Sequence, residues 1–147
     1  MAKSDQVIGR VAEKRVLDTV LASRDPELVA VYGRRRVGKT FLIREHLKSQ
    51  IVLEVAGIHD QSTAVQLANF LMSLRKAFPF VPLVQCRTWL EAFELLRHCL
   101  DQPTRIKGKR VIFIDEFPWL ATRKSGFLGW TAQSADTTDQ ARAISAG

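Results

Sequence analysis

Two cysteines, Cys86 and Cys99, are too few for a disulfide scaffold, and their separation is not a metal-ligand spacing. The three histidines, His46, His59 and His98, are scattered, with no cysteine or carboxylate cluster around them, so no zinc site is expected. No apolar run approaches the ~18 residues that would span a bilayer. Met1-Ala2-Lys3-Ser4-Asp5-Gln6 lacks the apolar stretch of a secretion signal, and a cytoplasmic protein with no membrane role is expected. There is no internal repeat. Acidic residues are in short supply: 15 Asp and Glu stand against 22 Lys and Arg, giving a net charge of +7 and a pI of about 9.9. That balance permits a nucleic-acid partner without requiring one. Much of the excess falls in one cluster, Arg34, Arg35, Arg36 and Lys39. The remaining totals, 147 residues with 46% hydrophobic and 25% charged, describe one ordinary globular domain.

The cationic cluster lies inside Gly33-Arg34-Arg35-Arg36-Val37-Gly38-Lys39-Thr40, which fits G-x-x-x-x-G-K-[ST], the phosphate-binding loop. With glycine near 7% of average usage, a chance match in a chain this long is about half a percent. The flanks agree with the motif. Leu28 to Tyr32 is a short apolar run bounded by Asp25-Pro26 and Gly33, which predicts a buried strand. Residues 40–48 predict an amphipathic helix with Leu42, Ile43 and Leu47 inward. Gly33 and Gly38 would let the backbone turn and approach a ligand closely. The loop amides and helix N-terminus would converge on an anion. Lys39 would reach the β- and γ-phosphates, and the Thr40 hydroxyl would hold Mg²⁺.

Ahead of this unit, Val7-Ile8-Gly9-Arg10 leads into a predicted helix over 11–22, with Val16, Leu17, Val20 and Leu21 on one face and Glu13, Lys14, Arg15 and Asp18 toward water. From periodicity alone, Gly9-Arg10 is a turn before a helix. After the loop, Ile51 to Ala56 is β-rich and predicts a second strand, making a βαβ unit. Residues 62–78 predict a helix with an apolar face of Val65, Leu67, Ala68, Leu71, Met72 and Leu74. Pro79 and Pro82 end it, and 79–87 is a connector. Thr88-Trp89-Leu90-Glu91 is a capping box opening a helix to about Asp101, with Trp89, Phe93, Leu96 and Leu100 as core positions and Cys99 as a core thiol. Residues 102–109 form a polar, basic loop.

Arg110-Val111-Ile112-Phe113-Ile114-Asp115-Glu116 carries the second chemical signal. Four large apolar residues predict a strand buried on both faces. Two carboxylates at its C-terminal end are costly unless they serve a purpose. Beside a phosphate loop this is where Mg²⁺ is held: Asp115 would orient the ion, and Glu116 would act as general base toward the attacking water. Phe117 to Leu120 predicts a partly buried turn, and Lys124-Ser125-Gly126 a loop. Residues 131–147 hold one large apolar side chain, Ile144, too little to offset ordering entropy, and predict a disordered or loosely helical tail.

The order Ile8-Gly9-Arg10, then Val31 to Thr40, then Ile112 to Ala121, resembles the prokaryotic ATP-binding proteins of the AAA-like/STAND group of P-loop ATPases, as does Thr88 to Phe93. The resemblance covers residues 7–128, a partial P-loop ATPase domain followed by the 129–147 tail. It implies an α/β fold, a parallel sheet ordered 5-1-4-3-2 and flanked by helices. It also implies ATP and Mg²⁺ as ligands, with Gly33 to Thr40 as Walker A and Asp115 with Glu116 as Walker B. Gly9 and Arg10 would lie near the nucleotide base. ATP over GTP rests on this resemblance, since no guanine-reading N/T-K-x-D motif is present.

From about Gly129 the sequence departs from the family, which continues with a Trp-containing helix, a sensor strand, a lid and often a nuclease-like domain. A C-terminally truncated fold is the expectation, through a frameshift or shortened reading frame. The absent fourth strand would lie between the phosphate-loop strand and the Asp115 strand. Its loss would open a gap or make those two strands pair directly, disturbing Mg²⁺ geometry more than phosphate binding. ATP binding is therefore expected to survive better than hydrolysis. The alternatives are a non-catalytic remnant or interaction module, and a nucleic-acid binder using the basic surface.

Overall fold

The computed structural model describes residues 10–24, 28–33, 38–122, 124–127 and 141–146. Among the described residues the elements in order are α1 (Val11–Ala22), β1 (Leu28–Gly33), α2 (Lys39–His46), β2 (Ile51–Ala56), α3 (Thr63–Ala77), α4 (Trp89–Leu100), β3 (Val111–Asp115), α5 (Phe117–Leu120) and β4 (Ala141–Ala146). The chain is a mixed α/β fold whose strands pair in parallel. None of the described helices is long and apolar enough to cross a membrane.

The strands form two ladders among the described residues. β2 pairs with β3, and β1 pairs with β4 from Leu28↔Ala141 to Gly33↔Ala146. This corrects one expectation. Residues 141–146, assigned to a disordered or loosely helical tail, form a strand. Composition accounts for apolar burial only, whereas parallel pairing with β1 gives backbone donors and acceptors along one edge of each segment a partner. Of the two outcomes expected for an absent fourth strand, direct pairing of β1 with β3 does not occur: β1 takes β4 as its partner.

Helix ends follow their capping chemistry. The Ser62 hydroxyl accepts from the Val65 amide at 3.3 Å, and that of Thr88 from the Glu91 amide at 3.2 Å. Glu91 returns the bond by accepting from the Arg87 amide at 2.7 Å, one residue ahead of the amide a capping box uses.

The larger core lies where α3 and α4 cover one face of β2 and β3. It includes Leu53, Val55, Leu67, Phe70, Leu71, Leu74, Trp89, Phe93, Leu96, Cys99 and Leu120. Trp89 is its centre, edge-on to Phe70 at 5.5 Å and to Phe127 at 4.8 Å, and stacked on Phe93 at 5.6 Å. The buried face of α3 is Gln66, Leu67, Phe70, Leu71 and Leu74. It is rotated from the expected face: Val65 and Met72 are exposed, while Phe70 is interior. A broad run of apolar residues leaves the direction of a helix undecided until its partner is present.

The smaller core gathers Leu17 of α1 with Leu42, Ile43 and Leu47 on the opposite face. β3 serves both cores, since alternate side chains point to opposite faces. Ile112 and Ile114 pack against the larger, and Val111 and Phe113 against the smaller. Each β3 residue is half-buried rather than fully buried as expected, because β3 has a ladder partner on one side only among the described residues. His46 Nε2 lies 2.7 Å from Asp18 Oδ1, tying α2 to α1.

Candidate functional site

The first motif begins at the C-terminal end of β1, and the second lies at the C-terminal end of β3, both strands being paired in parallel. In open parallel sheets this is the edge where ligands bind. β1 closes on Gly33, the first residue of G-x-x-x-x-G-K-T. Arg34, Arg35, Arg36 and Val37 lie outside the described residues, as does Gly9. The described chain resumes at Gly38, which caps α2 with φ 78°. Only glycine takes that conformation without Cβ strain. Lys39 and Thr40 are then the first two residues of α2, where backbone amides have no helical acceptor.

Among the described residues the two motifs meet through a hydrogen bond. The Thr40 hydroxyl donates to Asp115 Oδ2 at 2.8 Å. The other carboxylate oxygen, Oδ1, accepts from the Glu116 amide at 2.9 Å. Asp115 is thereby held at both oxygens. One helical turn beyond Thr40, Arg44 Nε donates to Glu54 Oε1 of β2 at 2.6 Å. That bond, and the negative charges of Glu54 and Asp115, raise the Arg44 pKa. Thr40 and Arg44 together fasten α2 across β3 and β2.

Arg10 stands beside Gly38: a Cβ on Gly38 would come 3.9 Å from Arg10 Nη2. Its Nη1 is buried and has no hydrogen-bond partner among the described residues. Among the described residues, the non-glycine residues with positive φ are Arg10 (56°), Asp60 (51°) and Glu116 (52°). Such conformations cost free energy and concentrate where function over-determines them. Glu116 is exposed at the mouth of this turn.

A second group here carried no motif. Gly57 follows β2 and donates its amide to the Asp115 carbonyl at 3.0 Å. A Cβ at Gly57 would sit 2.5 Å from the Glu116 carbonyl oxygen, so the close approach of these turns requires glycine. Gln66, 2% exposed, joins the loop after β2 to α5. Its Oε1 accepts from the Ile58 amide at 3.0 Å, and its Nε2 donates to the Ile58 carbonyl at 2.6 Å and the Trp119 carbonyl at 3.3 Å. His59 lies over Trp119 with ring centroids 4.0 Å apart. The available signal for Gln66 was its position: a polar residue at helical spacing with Phe70 and Leu74, on a stripe otherwise apolar.

No protein-family model, curated protein or solved structure matches this chain. The site's chemistry therefore rests on its donor set. Thr40 and Asp115 offer a hydroxyl and a carboxylate within hydrogen-bond distance, hard oxygen donors of the kind Mg²⁺ takes. Among the described residues no three His, Cys, Asp or Glu side chains converge.

Proposed function

We propose that this chain binds ATP as a P-loop domain of the AAA-like kind, in the cytoplasm, with Mg²⁺-dependent hydrolysis as the ancestral reaction, weakened here more than binding is. The supporting observation is the Thr40–Asp115 hydrogen bond, which joins the end of one motif to the end of the other. The Gly38–Thr40 amides at the α2 N-terminus would face the phosphates, and Lys39 would set its positive charge against the β- and γ-groups. Thr40 and Asp115 would hold Mg²⁺, which when bound neutralises charge on the phosphate oxygens. Glu116, beside Asp115 and open to solvent, would accept the proton of the attacking water. Arg10 would place its guanidinium at the edge of the loop. Roles for Gly9, Gly33, Arg34, Arg35, Arg36 and Val37 rest on the motif and the family resemblance.

The test is thermal unfolding with and without Mg-ATP, beside Lys39→Ala. Ligand at 100 times its dissociation constant adds about 2.7 kcal/mol, a shift of roughly 5–11 °C for a domain of this size. The reading expects that shift in the native chain and its loss in the variant. An equal shift in both would overturn it.

A further inference from the structure

Gln66 is the one polar residue in the buried interior among the described residues, and nothing in the proposed chemistry uses it directly. A buried amide of this kind persists only where its hydrogen bonds are satisfied. Gln66 spends them on two separate loops. It closes a ring with the Ile58 backbone, accepting from the amide and donating to the carbonyl, and also donates to the Trp119 carbonyl. The Trp119 amide in turn donates to the Glu116 carbonyl at 3.1 Å. The same carbonyl oxygen is where a Cβ on Gly57 would collide. From α3, Gln66 thus reaches both sides of the Glu116 backbone: through Ile58 and Gly57 on one side, through Trp119 on the other.

We propose that Gln66 is a positioning residue for Glu116, tying the loop after β2 to α5 so that the strained Glu116 backbone is kept at φ 52°. Among the described residues Gln66 hydrogen-bonds to neither Glu116 nor Gly33, Gly38, Lys39 or Thr40, and it acts through the two loops. The catalytic consequence rests on the ATPase reading, but the coupling of the loops does not. Loss of the clamp should impair the use of a bound nucleotide rather than its binding, since Lys39 and Thr40 stand on α2.

Native-state amide hydrogen exchange against denaturant tests the coupling, with no variant required. The Ile58 and Trp119 amides should share one opening transition; separate transitions overturn the proposal. Gln66→Met, similar in volume but without hydrogen bonds, should speed exchange at Trp119 at least tenfold while Leu42 and Ile43 in α2 are unchanged. The Trp119 amide is the telling probe, because Gln66 does not bond to it. Acceleration confined to Ile58 overturns the clamp. In Mg-ATP, kcat of Gln66→Met should fall at least tenfold with the dissociation constant changed less than twofold. Unchanged kcat, in a chain whose hydrolysis needs Lys39, overturns the catalytic role. Absence of Lys39-dependent nucleotide binding in the native chain would sink the ATPase reading instead, and the exchange measurements would still decide the clamp.

Discussion

Thr40 and Asp115, 75 residues apart in sequence, share a 2.8 Å hydrogen bond in which the hydroxyl donates and the carboxylate accepts. The bond exists because α2 is seated across β2 and β3, pinned a turn later by Arg44 and Glu54 and filled beneath by Leu42 and Ile43. With its proton given to Asp115, the Thr40 oxygen keeps lone pairs for a cation.

Asp115→Asn keeps an acceptor for Thr40 and removes the charge. ATP binding without metal should persist, while the extra stabilisation contributed by Mg²⁺ disappears and hydrolysis falls more than about tenfold, the loss of a charge-assisted contact worth ~1.5–3 kcal/mol. Thermal shifts with ATP alone and with Mg-ATP check this. A full Mg²⁺ increment in the variant would remove Asp115 from the metal site.

Glu116→Gln preserves shape and removes the carboxylate proposed as the base. Nucleotide affinity should stay within about twofold, and turnover should drop by roughly 10²–10⁴, the span of general-base contributions. Phosphate release under single-turnover conditions measures it. Residual turnover equal to the native rate would mean that Glu116 is not the base.

Gly57→Ala places a methyl 2.5 Å from the Glu116 carbonyl and 3.1 Å from Trp119 Cβ. Backbone must shift to admit it, at a cost of about 1–3 kcal/mol, typical of overpacking. Urea unfolding should show a lower midpoint with an unchanged slope. Hydrolysis should fall as well, because the displaced atoms carry Glu116.

Burial raises the Cys99 thiol above its ordinary 9.0, and burial followed by the Glu91 charge does the same for Cys86. In the folded chain both thiols should therefore react more slowly at pH 8 with a thiolate-selective reagent than in the unfolded chain. The linkage has a definite sign. A raised folded pKa gives stability that is complete below the unfolded value and is lost as pH rises through the folded one. Denaturation midpoints should accordingly hold up to about pH 9 and decline above it.

Much of this architecture was legible from local signals. The phosphate-loop pattern located Gly38, Lys39 and Thr40 at the start of a helix, and the apolar run before Asp115 located β3. Thr88 and Glu91 announced α4 because capping is settled within four residues. Less legible was anything set by a partner. Val65 and Met72 belong to an apolar run on α3, yet they face outward, and Gln66 faces inward. A helix made of so many apolar residues has several workable faces, and the packed neighbours select one.

By itself the sequence determined the residue types at the site and the helix and strand that carry each motif. Spacing, capping and periodicity act over a few residues, and so they survive in a linear reading. Only the tertiary structure decided that Thr40 meets Asp115, that Gly57 presses on the Glu116 carbonyl, and that Gln66 bridges their loops. It also decided that residues 141–146 form a strand, since a ladder is a property of two segments and β1 supplies what Ala141–Ala146 lacks alone. The physical reason is common to all four: backbone hydrogen bonds and close contacts between distant segments depend on where the chain returns, which composition does not encode.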